Sequence, residues 1–146
     1  MADPTLKRTQ GLSGPTTMQL VDASFFKPHD PVETTYRVIS AATTNGQVIS
    51  TLPGHLIGVD LYNTDTTSPS YVKFFDLATV PNLGTDIPVM VFTVGVSASG
   101  GRVTLGGDQL NYKFKTGIAM AITKLPDDTD ATALTNPKTV VGTILF

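Results

Sequence analysis

The sequence predicts an all-β fold, a two-sheet antiparallel β-sandwich or jelly roll of about eight strands. Three observations carry that expectation. Threonine, a β-branched strand former, is the commonest residue with 23 copies among 146. Strong helix formers are scarce, and glutamate occurs once, as Glu33. Short apolar runs alternate with period two, and turn residues separate them. A chain of 146 residues is long enough for one core. It divides into an extended N-terminal arm, residues 1–16, and a single sandwich domain, residues 17–146.

In the first fourteen residues Leu6 and Leu12 are the only large apolar side chains after Met1, and no apolar run follows Lys7-Arg8. That excludes the pattern of a signal peptide and reads as a mobile or extended arm, either a disordered tail or, on the sharper reading, an arm that orders against a neighbouring subunit. Met18 to Phe26 is the first strand candidate. It ends at Lys27-Pro28-His29-Asp30-Pro31, where two prolines forbid both a helix and a central strand. Glu33 to Ser40 and Gln47 to Leu52 flank Asn45-Gly46, which suits a tight turn, so the two runs are expected to pair antiparallel. His55 to Tyr62 alternates, with Ile57, Val59 and Leu61 on one face and Gly58, Asp60 and Tyr62 on the other.

Tyr71 to Leu77 places Val72 and Phe74 on one face, and Tyr71, Lys73, Phe75 and Leu77 on the other. Ile87 to Val94 is apolar on both faces: Ile87, Val89 and Val91 oppose Met90, Phe92 and Val94. A sandwich strand needs one apolar face, so the second calls for cover by a loop, an arm or another subunit. Gly95 to Gly107 is a glycine-rich connection holding the short run Arg102 to Leu105. Gln109 to Phe114 alternates next, with Leu110, Tyr112 and Phe114 expected inward. In Gly117 to Thr123 the large residues Ile118, Met120 and Ile122 alternate with small ones that permit close packing. Pro126 to Pro137 is a loop. Thr139 to Phe146 is a strand whose Ile144-Leu145-Phe146 must dock in a sheet.

Composition excludes several kinds of chemistry. The chain has no cysteine, hence no disulfide, thiolate nucleophile or Cys-based zinc site. A net charge of −2 lacks the basic excess of a nucleic-acid binder. No apolar run reaches the ~18 residues of a membrane span. His29 and His55 are the two histidines, and no nucleophile elbow surrounds any serine, so both read as structural. Asp127-Asp128-Thr129-Asp130 gathers hard oxygen ligands but lacks the glycine and terminal glutamate of a calcium loop, and reads as a solvated turn. Gly95 to Gly101 lacks the Gly-Lys-Ser/Thr of a phosphate cradle. Lys113 and Lys115 beside Tyr112 and Phe114 only weakly resemble a basic-aromatic nucleic-acid surface, because the alternation separates the lysines from the rings. No catalytic residue, cofactor or metal is expected, and an enzyme is the class with least support.

Several ordered segments carry a resemblance: Leu61-Tyr62-Asn63-Thr64, Tyr71-Val72-Lys73-Phe74-Phe75-Asp76, Thr79 to Val89, Gly117 to Thr123, and Asp128-Thr129-Asp130-Ala131-Thr132-Ala133. Together they resemble a group of small virion proteins of tailed bacteriophages and prophages, over about Gly54 to Phe146; the specificity lies in the ordered set. The resemblance implies a β-sandwich or jelly-roll subunit, a homotrimer that decorates the outside of the capsid and stabilises the head. It implies a virion location after assembly in the host cytoplasm, with the major capsid protein and sister copies as partners and neither nucleic acid nor membrane. In that setting Val89, Met90, Val91, Phe92 and Val94 would supply the subunit interface, and Leu6, Lys7, Arg8 and Leu12 the capsid-contacting arm. The alternative is a tail-tip, collar or fibre head module that binds host receptor glycans, for which Tyr62, Tyr71 and Tyr112 are the relevant phenols.

Overall fold

The computed structural model describes residues 34–146. The arm residues Leu6, Lys7, Arg8 and Leu12, the boundary at residue 16, the strand candidate Met18 to Phe26, and His29 lie outside the described residues. Among the described residues ten strands run in chain order: β1 (Thr35–Ile39), β2 (Gln47–Ser50), β3 (Gly54–Leu56), β4 (Gly58–Asn63), β5 (Ser70–Phe75), β6 (Met90–Val94), β7 (Arg102–Gly106), β8 (Tyr112–Phe114), β9 (Ile118–Thr123) and β10 (Val140–Leu145). Short 3-10 turns at Ser97–Ser99 and Gly107–Gln109 flank β7.

Eight of the strands form two four-stranded sheets ordered β1-β10-β4-β7 and β2-β9-β5-β6, and β3 and β8 form a separate short pair. Every pairing is antiparallel. Among the eight, only β5 and β6 follow one another within a sheet; every other step in chain order crosses to the opposite sheet. That double Greek-key winding is the jelly-roll arrangement of a β-sandwich.

The core follows from the period-two alternation. Val38 of β1, Val59 and Leu61 of β4, and Val140 and Ile144 of β10 share one buried cluster with Val72 and Phe74 of β5, Val94 of β6, and Ile118, Met120 and Ile122 of β9. Phe92 packs against the same cluster and meets Phe74 edge-on, with ring centroids 6.0 Å apart. The small side chains of β9 face the other way, where Ala119 and Ala121 pack with Phe75, Leu77 and Leu83 in a second cluster. Both faces of β9 are therefore buried.

Strand β10 lies centrally between β1 and β4, which docks the apolar C-terminal residues as expected. Its middle residue, Gly142, has φ +154°, and a Cβ there would stand 2.0 Å from the Asp60 carbonyl oxygen. Only glycine lets the two backbones approach so closely.

Three expectations are corrected. First, β1 and β2 do not pair; β1 joins β10 and β2 joins β9. Asn45 takes the expected positive φ of 54°, yet its side chain turns back to the Ala41 N–H and the Ala41 and Thr43 carbonyls. The Thr43 and Thr44 carbonyls in turn accept from Leu134 and Ile122. The segment is a corner between sheets rather than a hairpin. Second, His55 to Tyr62 is two strands, broken at Ile57, because the chain leaves its pairing with β8 and enters the sheet of β10 and β7. Third, Tyr112 is not a core aromatic. It is 37% exposed while Phe114 is fully buried, since β8 belongs to the short outer pair and only its last residue reaches the core.

Candidate functional site

The outer face of the β1-β10-β4-β7 sheet carries an open concave site. Register sets its pattern. Arg37, Thr143, Asp60 and Thr104 stand in one cross-strand row, and Ile39, Val141, Tyr62 and Arg102 in the next. All eight point away from the core because they alternate with the inner row Val38, Gly142, Leu61 and Val103. Valine and threonine on β10 are short, whereas Arg37 on one side and Tyr62 and Arg102 on the other are long. The result is an open cleft of about 240 Å3 lined by Arg37, Asp60, Tyr62, Arg102, Val141, Gly142 and Thr143.

One ion pair organises its far wall. Arg102 donates from Nε and Nη2 to the two carboxylate oxygens of Asp60, each at 2.7 Å, and the Thr104 hydroxyl donates to Asp60 Oδ1 at 3.0 Å. The Arg102 hydrogen bonds hold the Asp60 carboxyl below its ordinary pKa. Such a bidentate fork fixes both planes, so the remaining Arg102 donors point in a set direction. Arg37, across the cleft, makes no ion pair among the described residues.

The opposite sheet hides a different charge. Lys73 on β5 sits between Val91 of β6 and Ala121 of β9 on the face away from the main core, and it is 0% exposed. Its ammonium donates to the main-chain carbonyls of Asp127 and, at 3.3 Å, Asp130. Burial pushes its pKa below the ordinary value, and the charges of Asp130, Asp128 and Asp127 pull the other way.

The acidic loop is thus built around a lysine. The Asp130 carboxylate accepts from the N–H groups of Leu125 and Thr132 and from the Thr132 hydroxyl, so it ties the loop's own backbone. Among the described residues no group of three or more His, Asp or Glu side chains could hold a metal ion.

The other sequence candidates fall apart in space. His55 is exposed, and its Nδ1 meets Oδ1 of Asn111, the residue before β8, at 2.6 Å, with no carboxylate or hydroxyl partner among the described residues. The Gly95 to Gly101 segment is a 3-10 turn closed by Gly100 at φ +95°. The five residues expected at a subunit interface are divided by the sandwich. Val94 is wholly buried in the chain's own core, with Met90 and Phe92 packed against it, so Val94 has no surface to offer a partner. Val89 and Val91 face outward at 39% and 36% exposure, near Ile87 at 60%. Among the described residues strand β6 is also a sheet edge.

No family model, curated protein or solved structure matches the chain. Sequence reasoning singled out Tyr62 but missed Arg37, Asp60, Arg102 and Thr143, which come from four strands far apart in the chain. A local signal existed only in the strand alternation that turns each of them outward. The strand order that assembles them is not written in any one segment.

Proposed function

We propose that the protein is a structural subunit of a tailed-phage virion, a homotrimeric decoration protein that binds the outer capsid surface and stabilises the head. The observation that supports this most is the edge strand β6. Its inner residues complete the sandwich, while Val89 and Val91, with Ile87 nearby, leave an apolar outer face on a jelly roll, a fold that recurs in viral shells. An exposed apolar sheet edge left bare invites edge-to-edge association; a symmetric assembly closes it with copies of itself. The mechanism is adhesion: each subunit adds buried interface that must break before the shell opens, and symmetry multiplies that gain over many copies.

The test uses Val89→Lys with Val91→Lys. On this reading the parent chain has a solution mass three times that of one subunit, the double variant is monomeric with an unchanged circular dichroism spectrum, and only the parent raises the temperature at which heads release DNA. A parent chain that is monomeric at micromolar concentration, or heads no more heat-resistant with it than without it, defeats the proposal.

A further inference from the structure

We propose that the cleft on the outer face of the β1-β10-β4-β7 sheet binds a sugar bearing a carboxylate, such as a uronic acid residue. Three features of the lining converge on that class. The first is charge. Asp60 is paired with Arg102, so Arg37 gives the lining a net positive charge facing inward across Thr143. Because β1 and β4 flank β10, the backbones carrying Arg37 and Asp60 are about 9–10 Å apart, two strand spacings. A single ring fits that gap with its carboxylate toward Arg37.

The second feature is the Tyr62 ring, 41% exposed and set between Val141 and Arg102. It offers an apolar plane for the C–H face of a pyranose, with a hydroxyl at the end of the ring. The third is the density of directed polar groups. Arg102 spends two of the guanidinium's five N–H donors on Asp60. Its remaining donors, the lone pairs left on Asp60, and the Thr143 hydroxyl match the mixed donor and acceptor character of sugar hydroxyls. A cleft of about 240 Å3 accommodates one ring, not an extended peptide. The inference is independent of the decoration reading, since a capsid-bound subunit and a free one carry the same lining.

The test is an amide NMR titration of the full chain with glucuronic acid, with glucose and N-acetylglutamate in parallel. The expected result is saturable shifts at residues 60–62, 102–104 and 141–143 with glucuronic acid, and a much weaker response to the other two. Arg37→Gln and Tyr62→Ala, both at exposed positions, should each weaken binding about tenfold while leaving the melting temperature unchanged. No saturable shift at tens of millimolar glucuronic acid overturns the site. An equal response to glucose overturns the role of the carboxylate, and tighter binding of N-acetylglutamate overturns the sugar class in favour of an acidic peptide.

Discussion

Replacing Lys73 with methionine keeps most of the buried stem and removes the terminal amine, so it isolates the hydrogen-bond donor that ties the loop at residues 126–137 to the sheet. Lys73 is fully buried and donates to the carbonyls of Asp127 and Asp130. A hydrogen bond from a charged donor contributes about 1.5–3 kcal/mol, so the two together lie near 3–6 kcal/mol. Desolvation of the ammonium offsets part of this, and that cost vanishes with the charge. The variant also leaves two carbonyls without their partner, although loop opening can return them to water. The net expectation is a loss of about 2–4 kcal/mol at pH 7, measured by urea denaturation. Faster amide exchange at Leu125 and Thr132, whose N–H groups are tied to Asp130, should accompany it.

Alkaline pH supplies a second readout. The folded-state pKa of Lys73 lies below the ordinary value of 10.5. The unfolded chain therefore binds more protons just below 10.5, and stability from this group rises with pH as the buried charge is relieved. Lys73→Met should lose that rise. A variant within about 0.5 kcal/mol of the parent, with loop exchange unchanged, would refute the latch.

Three further outcomes follow from the same geometry. Gly142→Ala should cost at least about 3 kcal/mol or prevent folding, because its Cβ would strike the Asp60 carbonyl oxygen at 2.0 Å; a thermal melt near the parent's would contradict this. Asp76→Ala should cost about 1–2 kcal/mol by denaturant titration, since its carboxylate accepts from the Lys115, Thr116 and Gly117 amides at a partly exposed turn; no change would remove that turn from the account. Acid should destabilise the fold. Burial raises the carboxyl pKa of Asp76 and Asp130, but hydrogen bonds outweigh it and leave both below the ordinary 3.8, so stability present above 3.8 is lost as pH falls through the folded values. Denaturation midpoints from pH 5 down to about 2 check the direction.

What the sequence revealed was set by local physics. The alternation in His55 to Tyr62, in Val72 and Phe74, and in Ile118, Met120 and Ile122 grouped the side chains that share a face in each run, and those groups include Val59, Leu61, Val72, Phe74 and the three β9 residues of the core. The C-terminal strand was legible because three apolar residues together need a sheet. What failed depended on partners distant in the chain. Asn45 carried the right backbone angle, yet a turn residue cannot say whether the chain returns to its own sheet or crosses to the other. Lys73 stood in an apolar run with nothing nearby in sequence to explain it; its partners lie more than fifty residues later. Tyr112 shares the alternation of Phe114 and differs only in lying farther from the core. The cleft combines both cases: each side chain's outward direction was readable, and their meeting was not.

The central claim, that this jelly roll is a virion subunit acting through its exposed β6 face, is tested most directly by a cryo-electron microscopy reconstruction of phage particles that contain the chain. The account predicts the sandwich on the outer surface of the head, in threes, with Val89 and Val91 of each copy against a sister subunit. Density for the chain on the tail alone, or on the head with those two valines facing solvent, would contradict it.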